Sequence, residues 1–434
     1  MVESIILKLN MIPAVVRVLG VFILVLLAIK AKWSLGNSFL SATIALGLVF
    51  CMPPADILRS MGSSLIHPKT LSLSIVVSLI LVLSHSLEKA GQMERLLNGF
   101  KGMIRRPQVN MVIFPALIGL LPMPGGAIFS APMVKNLGKT HGLSPPQLSY
   151  INYWYRHIWE YWWPLYPGIL LTTAMASIDL WRLVFVTLPL TLVVVVAGYW
   201  PLRGAMAAPR TGTERTAAGP FLKELAPILF VIVFGLVMGQ VFSMLFSGGL
   251  QSVSKEMGLI LALLLAIVWI WRHNHMDSGQ CWGIVRQPAM LNMIYMVATI
   301  LLFKGILEDS GAVIQMSQEM LRWHFALVPV AIVLPFLVGM VAGITIAFVG
   351  ATFPILISLI QSMDQTNLIL PYMMLALASG FAGVLLSPLH LCLQLSNSYF
   401  QTPMGPVYRL MTIPLIALVG TAVLYFGVLR SLMG

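Results

Sequence analysis

The sequence predicts an all-α polytopic membrane protein built as two inverted repeats, each of five transmembrane helices plus one re-entrant hairpin. Three observations carry that reading. Of 434 residues, 59% are hydrophobic and only 9% are charged, whereas soluble domains carry about 25% charged residues. A water-soluble globular enzyme is thereby excluded. Apolar runs of about 20 residues, the length that crosses a bilayer as a helix, recur along the whole chain. Landmarks of the first half also return in the second. Leu87-Glu88-Lys89-Ala90-Gly91 is answered by Leu307-Glu308-Asp309-Ser310-Gly311, Pro132 by Pro354 and Pro164 by Pro388. The offset drifts only from 220 to 224 positions, as a duplication with small insertions would leave it.

The elements follow in order. Repeat 1 is expected over 1–202, with spans near 11–31, 35–52 and 68–87, then an amphipathic interfacial arm over 92–107. A hairpin over 108–138 comes next, interrupted at Pro122, Pro124, Gly125 and Gly126, and spans near 146–175 and 180–200 close the repeat. The first apolar run has no short core with a small-residue cleavage site, so it is expected to stay as a span. Residues 203–223, rich in Gly, Pro, Thr and charge, are expected to link the repeats on the cytoplasmic side. Repeat 2, over 224–434, has spans near 224–246, 256–272 and 289–307 and an arm over 310–324. A hairpin over 326–361, interrupted at Gly339 and Gly343, and spans near 367–400 and 407–430 complete it. Exposed backbone at a hairpin tip survives at membrane depth only when it is buried in protein or lines a wet cavity.

Charge sets the orientation. The net charge of +12 is not a nucleic-acid signal, because the 26 basic residues are scattered over short loops. Sixteen fall on one side of the predicted topology and nine on the other, with Arg156 left inside a span. The richer side is expected to be cytoplasmic, which puts both termini outside. The first hairpin then opens to the cytoplasm between Arg105, Arg106, Lys135 and Lys139, and the second opens to the exterior. Two opposed re-entrant hairpins in an inverted repeat are what a secondary transporter of the cell inner membrane would show. Arg17 and Arg59 are expected to snorkel to the interface. Cys51, Cys281 and Cys392 are far apart and show no metal-ligand spacing, and no metal or other cofactor is expected.

The chemistry concentrates at Tyr150 to Tyr166, where nine of the 22 Trp and Tyr residues occupy 17 positions. An interfacial belt is one reading, but a helix of that length rises about 25 Å, deeper than one headgroup layer. On a continuous helix Arg156 and Glu160 would share a face with Asn152, and His157 would turn toward Tyr153 and Tyr161. A charge at this depth costs roughly 2.5–3.5 kcal/mol, so Arg156 needs a counter-charge, carbonyls, water or an anionic ligand. Either Arg156 and Glu160 form a structural salt bridge, or Arg156 is part of an anion site with Glu160 or His157 as the proton-coupling group. Pro164 and Pro167 are expected to break this helix. At the first tip, Pro124, Gly125 and Gly126 would expose a helix N-terminus to an anion, with Ser130 one turn in. At the second, Gly343 and Thr345 play that part. The partner span carries Ser387, His390 and Gln394 as one helical stripe, with Ser396 and Asn397 beyond, and His390 is a further candidate for proton coupling. Oxygen ligands near Gly126, Thr345 and Ser396 would equally suit Na⁺.

The tip LLPMPGGAIFSAPMV and the stretch NYWYRHIWEYWWPLYPG resemble an uncharacterised integral-membrane family grouped with the ion-transporter superfamily, which includes gluconate, citrate, dicarboxylate and arsenite carriers. The likeness covers nearly the whole chain in span order. It implies an elevator-type carrier, usually a homodimer, with scaffold helices at 11–87 and 224–307. The moving transport domain would comprise the hairpins with helices 146–200 and 367–430. The Ser-Asn-Thr tip signature of the dicarboxylate branch is missing from both tips, so that branch's substrate and Na⁺ assignments do not transfer. The sequence thus points to a secondary active carrier of a small organic anion, with a carboxylate expected, coupled to H⁺ or Na⁺. An exporter or cation/proton antiporter using Glu160 and the polar stripe is the alternative, and an intramembrane enzyme using His157 and Glu160 is a remote one.

Overall fold

The computed structural model describes residues 11–100, 103, 107–122, 125–139, 141–203, 218–323 and 326–433, and among them every regular element is a helix. In the first half α1 (Ala14–Lys30), α2 (Leu35–Val49), α3 (Pro54–Ile66) and α4 (Pro68–Lys89) lead to the arm α5 (Gln92–Phe100). Two short helices, α6 (Pro107–Gly119) and α7 (Ala127–Lys139), pack on each other as a hairpin. Then come α8 (Pro145–Trp154), α9 (Pro167–Ala176), α10 (Leu180–Thr187) and α11 (Pro189–Tyr199). The second half contains α12 (Gly219–Leu245), α13 (Ser254–His273), α14 (Ser278–Val285), α15 (Pro288–Asp309) and the arm α16 (Ala312–Arg322). It ends with the hairpin α17 (Leu327–Ala342) and α18 (Thr345–Ser362), then α19 (Ile369–Leu386), α20 (Leu391–Phe400) and α21 (Met404–Met433). Among the described residues, eight stretches are long and apolar enough to cross a membrane, so the chain is a multi-pass membrane protein.

Several expected boundaries move. The short helices α3 and α14 were not anticipated. Residues 204–217 of the linker and 101, 102 and 104–106 of the first arm lie outside the described residues, and α12 already begins at Gly219. Gly339 sits inside α17, so the second hairpin is interrupted at Gly343 alone. Its second arm, α18, is by itself long enough to cross.

Burial sorts the helices. Sixteen consecutive residues of α18, Thr345 to Ile360, are buried, as are Pro371 to Leu385 of α19. A helix that is apolar all round belongs in a core. By contrast α12 and α21 expose Val233, Val237, Ile416 and Leu424, the apolar surface that lipid covers. One set of contacts joins α2, α3 and α4 to α13 and α15; another joins the hairpins to α8, α19 and α20, and α21 packs on α8 and α19.

The arms cross between halves. The Glu319 carboxylate of α16 accepts the N–H groups of Ala14 (2.6 Å) and Val15 (2.9 Å) at the start of α1, capping the positive end of that helix. Arg17 donates to Gln315 of the same arm at 2.6 Å and is buried over the Phe50 ring. It therefore does not snorkel, because the arm gives it a partner, whereas Arg59 is exposed as expected. In mirror fashion, Gln92 of α5 donates to the Glu224 carbonyl of α12 (2.8 Å), and Arg95 pairs with the Glu224 carboxylate (3.1 Å).

Candidate functional site

The aromatic stretch is a hub and not an interfacial belt. Tyr150 donates to the Gly198 carbonyl (2.8 Å), Trp154 to Val194 (3.1 Å) and Tyr161 to the Thr191 hydroxyl (3.0 Å), all on α11. Tyr153 reaches the Leu385 carbonyl of α19 (3.1 Å), while Trp159 and Tyr166 reach Ala116 and Gly119 of α6 (2.6 and 2.7 Å). Each of these rings buries its body in the core and places its one polar atom on another helix.

Those anchors hold an interruption. The helix ends at Trp154, passes through a 3₁₀ turn at Tyr155–His157 and further turns, and resumes at Pro167, which serves as the first residue of α9. Pro164 and Pro167 do mark a break, but it begins at Tyr155, nine residues before the first of them. Arg156 and Glu160 are consequently not stacked one turn apart on a regular helix. The second interruption is shorter. Pro388 biases the residue before it away from helix, and Ser387 is extended (φ −68°, ψ 125°). The Ser387 hydroxyl accepts the Leu389 N–H at 3.2 Å, and His390 occupies the residue position just before α20. The stripe expected of Ser387, His390 and Gln394 is not formed, because this break lies between its members. Gln394 is exposed and donates to the Pro388 carbonyl.

Each hairpin tip meets a break. A Cβ added to Gly126 would lie 2.6 Å from Arg156 Nη2, so only glycine lets the guanidinium rest on the first tip. Gly343 closes α17 in the left-handed region (φ 67°), and a Cβ there would lie 2.7 Å from the Ser387 hydroxyl. Gly125 turns the first tip (φ 76°) beside Leu395 of α20. Pro124 lies outside the described residues.

Between the tips the titratable groups converge. Arg156 is 3% exposed, His157 1%, Glu160 8% and His390 7%. Arg156 Nη1 lies 3.3 Å from His157 Nε2, and His390 Nε2 lies 3.1 Å from the same atom. His157 Nδ1 is 2.6 Å from the Tyr153 carbonyl, which can only accept, so Nδ1 carries the proton and Nε2 of the neutral ring accepts. Glu160 accepts a hydrogen bond from the Thr345 hydroxyl at the first turn of α18, and its other oxygen is 3.8 Å from His157 Nε2. Its partners are thus the second hairpin and His157, whereas the Arg156 guanidinium faces His157 and the first tip.

A polar column runs alongside. Ser130 donates to Asn152 (2.7 Å), and Asn152 donates to the Ala127 carbonyl (2.9 Å) and the Ser396 hydroxyl (2.8 Å). Ser149 donates to Asn397 (2.6 Å). These bonds fasten the first hairpin and α8 to α20. The three positions considered for Na⁺ are engaged otherwise: Gly126 under a guanidinium, Thr345 on Glu160 and Ser396 on Asn152. The sequence reading missed Ser149, Tyr153 and Cys392. The buried Cys392 has its sulfur within 4.8 Å of the ligand nitrogens of His157 and His390, a grouping that chain spacing concealed. The one local signal was His390 two residues before Cys392.

A family model described as a protein of unknown function (DUF401) matches residues 13–429. The chain belongs to the DUF401 family. The matched DUF401 region contains both interruptions, both hairpins and every residue of the buried cluster. No curated protein matches the chain.

Proposed function

We propose that this chain is a secondary active transporter of a small organic anion, of carboxylate type, coupled to H⁺ or Na⁺ by elevator-type alternating access. The observation that carries the reading is the convergence of two hairpin tips and two interrupted helices on one buried cluster, with the Arg156 guanidinium against the first tip and Glu160 against the second. A cation held at that depth against a glycine tip suits an anion that enters and leaves. Arg156 and the N-terminal ends of α7 and α18 would neutralise the substrate. Glu160 and His157, which face each other, would carry the coupling proton.

The architecture supports the inverted repeat. Four helices, an arm, a hairpin and an interrupted helix occur in the same order twice, closed by α10 and α11 in the first half and by α21 in the second. Pro115 and Pro335 lie inside the first arms of the two hairpins, and Pro132 and Pro354 inside the second. In this reading α1–α4 and α12–α15 form the scaffold, and the hairpins with α8–α11 and α19–α21 move. An inner-membrane homodimer with both termini outside completes the proposal. The test is counterflow in proteoliposomes with a panel of carboxylates: wild type should exchange at least one, and Arg156→Ala should exchange none while eluting as folded protein. Undiminished exchange by that variant overturns the anion role of Arg156.

One observation favours a cation/proton antiporter instead. The bond from Thr345 to Glu160 ties a carboxylate, a group that suits a cation or a proton, to the second tip. Proton release on addition of Na⁺ or K⁺ to proteoliposomes, with no carboxylate exchanged, would select it.

A further inference from the structure

We propose that His157, His390 and Cys392 form a three-coordinate site for one monovalent thiophilic cation of the Cu⁺ class. The proposal does not rest on the transport reading. The three ligand atoms lie within 4.8 Å of one another and all three residues are buried; His157 and His390 come from the two interruptions and Cys392 from the first turn of α20. Metal–ligand bonds of about 2.0–2.3 Å place ligands about 3.5–3.8 Å apart in a trigonal site. Closing from 4.8 Å asks side-chain shifts of under about one ångström, and the two imidazole nitrogens, at 3.1 Å, already face each other.

The surroundings are those of a metal-ligating histidine. His157 donates its Nδ1–H to the Tyr153 carbonyl, which leaves Nε2 as the ring's acceptor; it now faces the N–H groups of Arg156 and His390, and the metal takes that lone pair as both donors turn away. The Tyr153 ring meets both imidazoles edge-on, at 4.7 and 5.3 Å between centroids, and so fixes their planes. On binding, the Cys392 thiol proton leaves to solvent and the His390 proton moves from Nε2 to Nδ1, so the metal bonds one thiolate and two neutral imidazoles and no electron is transferred.

Softness and charge select the ion. Thiolate with imidazole suits Cu⁺ and Zn²⁺ above the hard cations. The Arg156 guanidinium, 3.3 Å from His157 Nε2, sets a positive charge beside the metal. A monovalent ion leaves one unit less charge to bury there than Zn²⁺ does. Entry is short, since Leu389 and Leu391 on either side of His390 are 54% and 47% exposed.

The test is direct metal binding by the full-length chain in detergent, with Cys51→Ser and Cys281→Ser so that Cys392 is the sole thiol. Titration with Cu⁺ under ascorbate against a coloured Cu⁺ chelator should show one tightly held equivalent. Cys392→Ser or His390→Gln should each weaken it by about tenfold or more. Copper K-edge absorption of the loaded wild-type chain should resolve one sulfur and two imidazole nitrogens, a readout that needs no variant to fold. The proposal is overturned by no Cu⁺ uptake, by affinity unchanged in Cys392→Ser, by a spectrum without sulfur, or by Zn²⁺ displacing Cu⁺. These readouts are of binding alone, so they stand or fall separately from anion counterflow.

Discussion

The two interrupted helices occupy matching places opposite a hairpin tip, yet they are built differently. The second opens only from Ser387 to His390, and one proline with one serine hydroxyl suffices to hold it. The first opens from Tyr155 to Tyr166 and carries Arg156, His157 and Glu160. A gap of that length frees many backbone groups, and a ring of aromatic side chains anchors it to α6, α11 and α19. The difference teaches where charge is tolerated. Buried ions sit in the interruption that has the most outside supports, and the lightly supported one is left with neutral groups.

The largest expected effect tests that division directly. Truncating one member of a buried charged group costs about 2–5 kcal/mol, or roughly 30-fold and more in binding. Arg156→Gln should therefore bring carboxylate uptake to background, whereas Ser387→Ala, which leaves no buried charge unpaired, should lower it by less than about tenfold. Equal losses from the two would erase the distinction between the interruptions.

The glycine tips come next. In Gly126→Ala the new Cβ displaces the guanidinium, so uptake should fall while thermal unfolding in detergent changes little. In Gly343→Ala the strain is in the backbone, at about 1–2 kcal/mol for a left-handed residue, so unfolding temperature should drop. Uptake at wild-type level in Gly126→Ala would show that the tip does not position Arg156. Thr345→Val, which strips Glu160 of its hydroxyl donor, should cost about 1–3 kcal/mol of stability. Thr345→Ser should restore most of it, and a valine variant as stable as wild type would make that bond incidental.

How much of this was legible follows from the range of each interaction. Helices are written in local apolar runs, and most of the described ones begin and end within a few residues of the runs that predict them. The short helices α3 and α14 were lost because each runs into the apolar segment after it at a proline, Pro68 or Pro288, with one residue or two between. The start of the first interruption was not legible. No Pro or Gly lies between Tyr155 and Trp163, and bonds to α6 and α11 decide it. Arg156, His157, Glu160 and His390 stood out as rare ionisable groups in apolar surroundings. Cys392 did not, since a lone thiol in a span looks like any small apolar residue until the fold sets it beside two imidazoles.

The smallest expected effect lies just past the first interrupted helix. Asp179 caps α10, accepting the N–H groups of Trp181 and Arg182 at 2.9 and 3.1 Å, and it pairs with Lys255 of α13. Burial pushes its carboxyl up, but the hydrogen bond from Lys255 and the two backbone donors outweigh that and hold it below the usual aspartate value. A depressed carboxylate contributes stability above its ordinary pKa, near 4, and loses it as pH falls through the lowered one. The pair is half-exposed and screened, so it is worth about 0–1 kcal/mol. Asp179→Asn keeps a capping oxygen and removes the charge, so its unfolding temperature should trail wild type by a degree or two at pH 6 and meet it below pH 3. Asp179 starts α10, in the proposed moving body, while Lys255 belongs to the proposed scaffold, and an elevator stroke must part them. Faster exchange in Asp179→Asn at pH 6 is therefore expected alongside the stability loss, and a rate unchanged or lowered would place both residues in the same moving body.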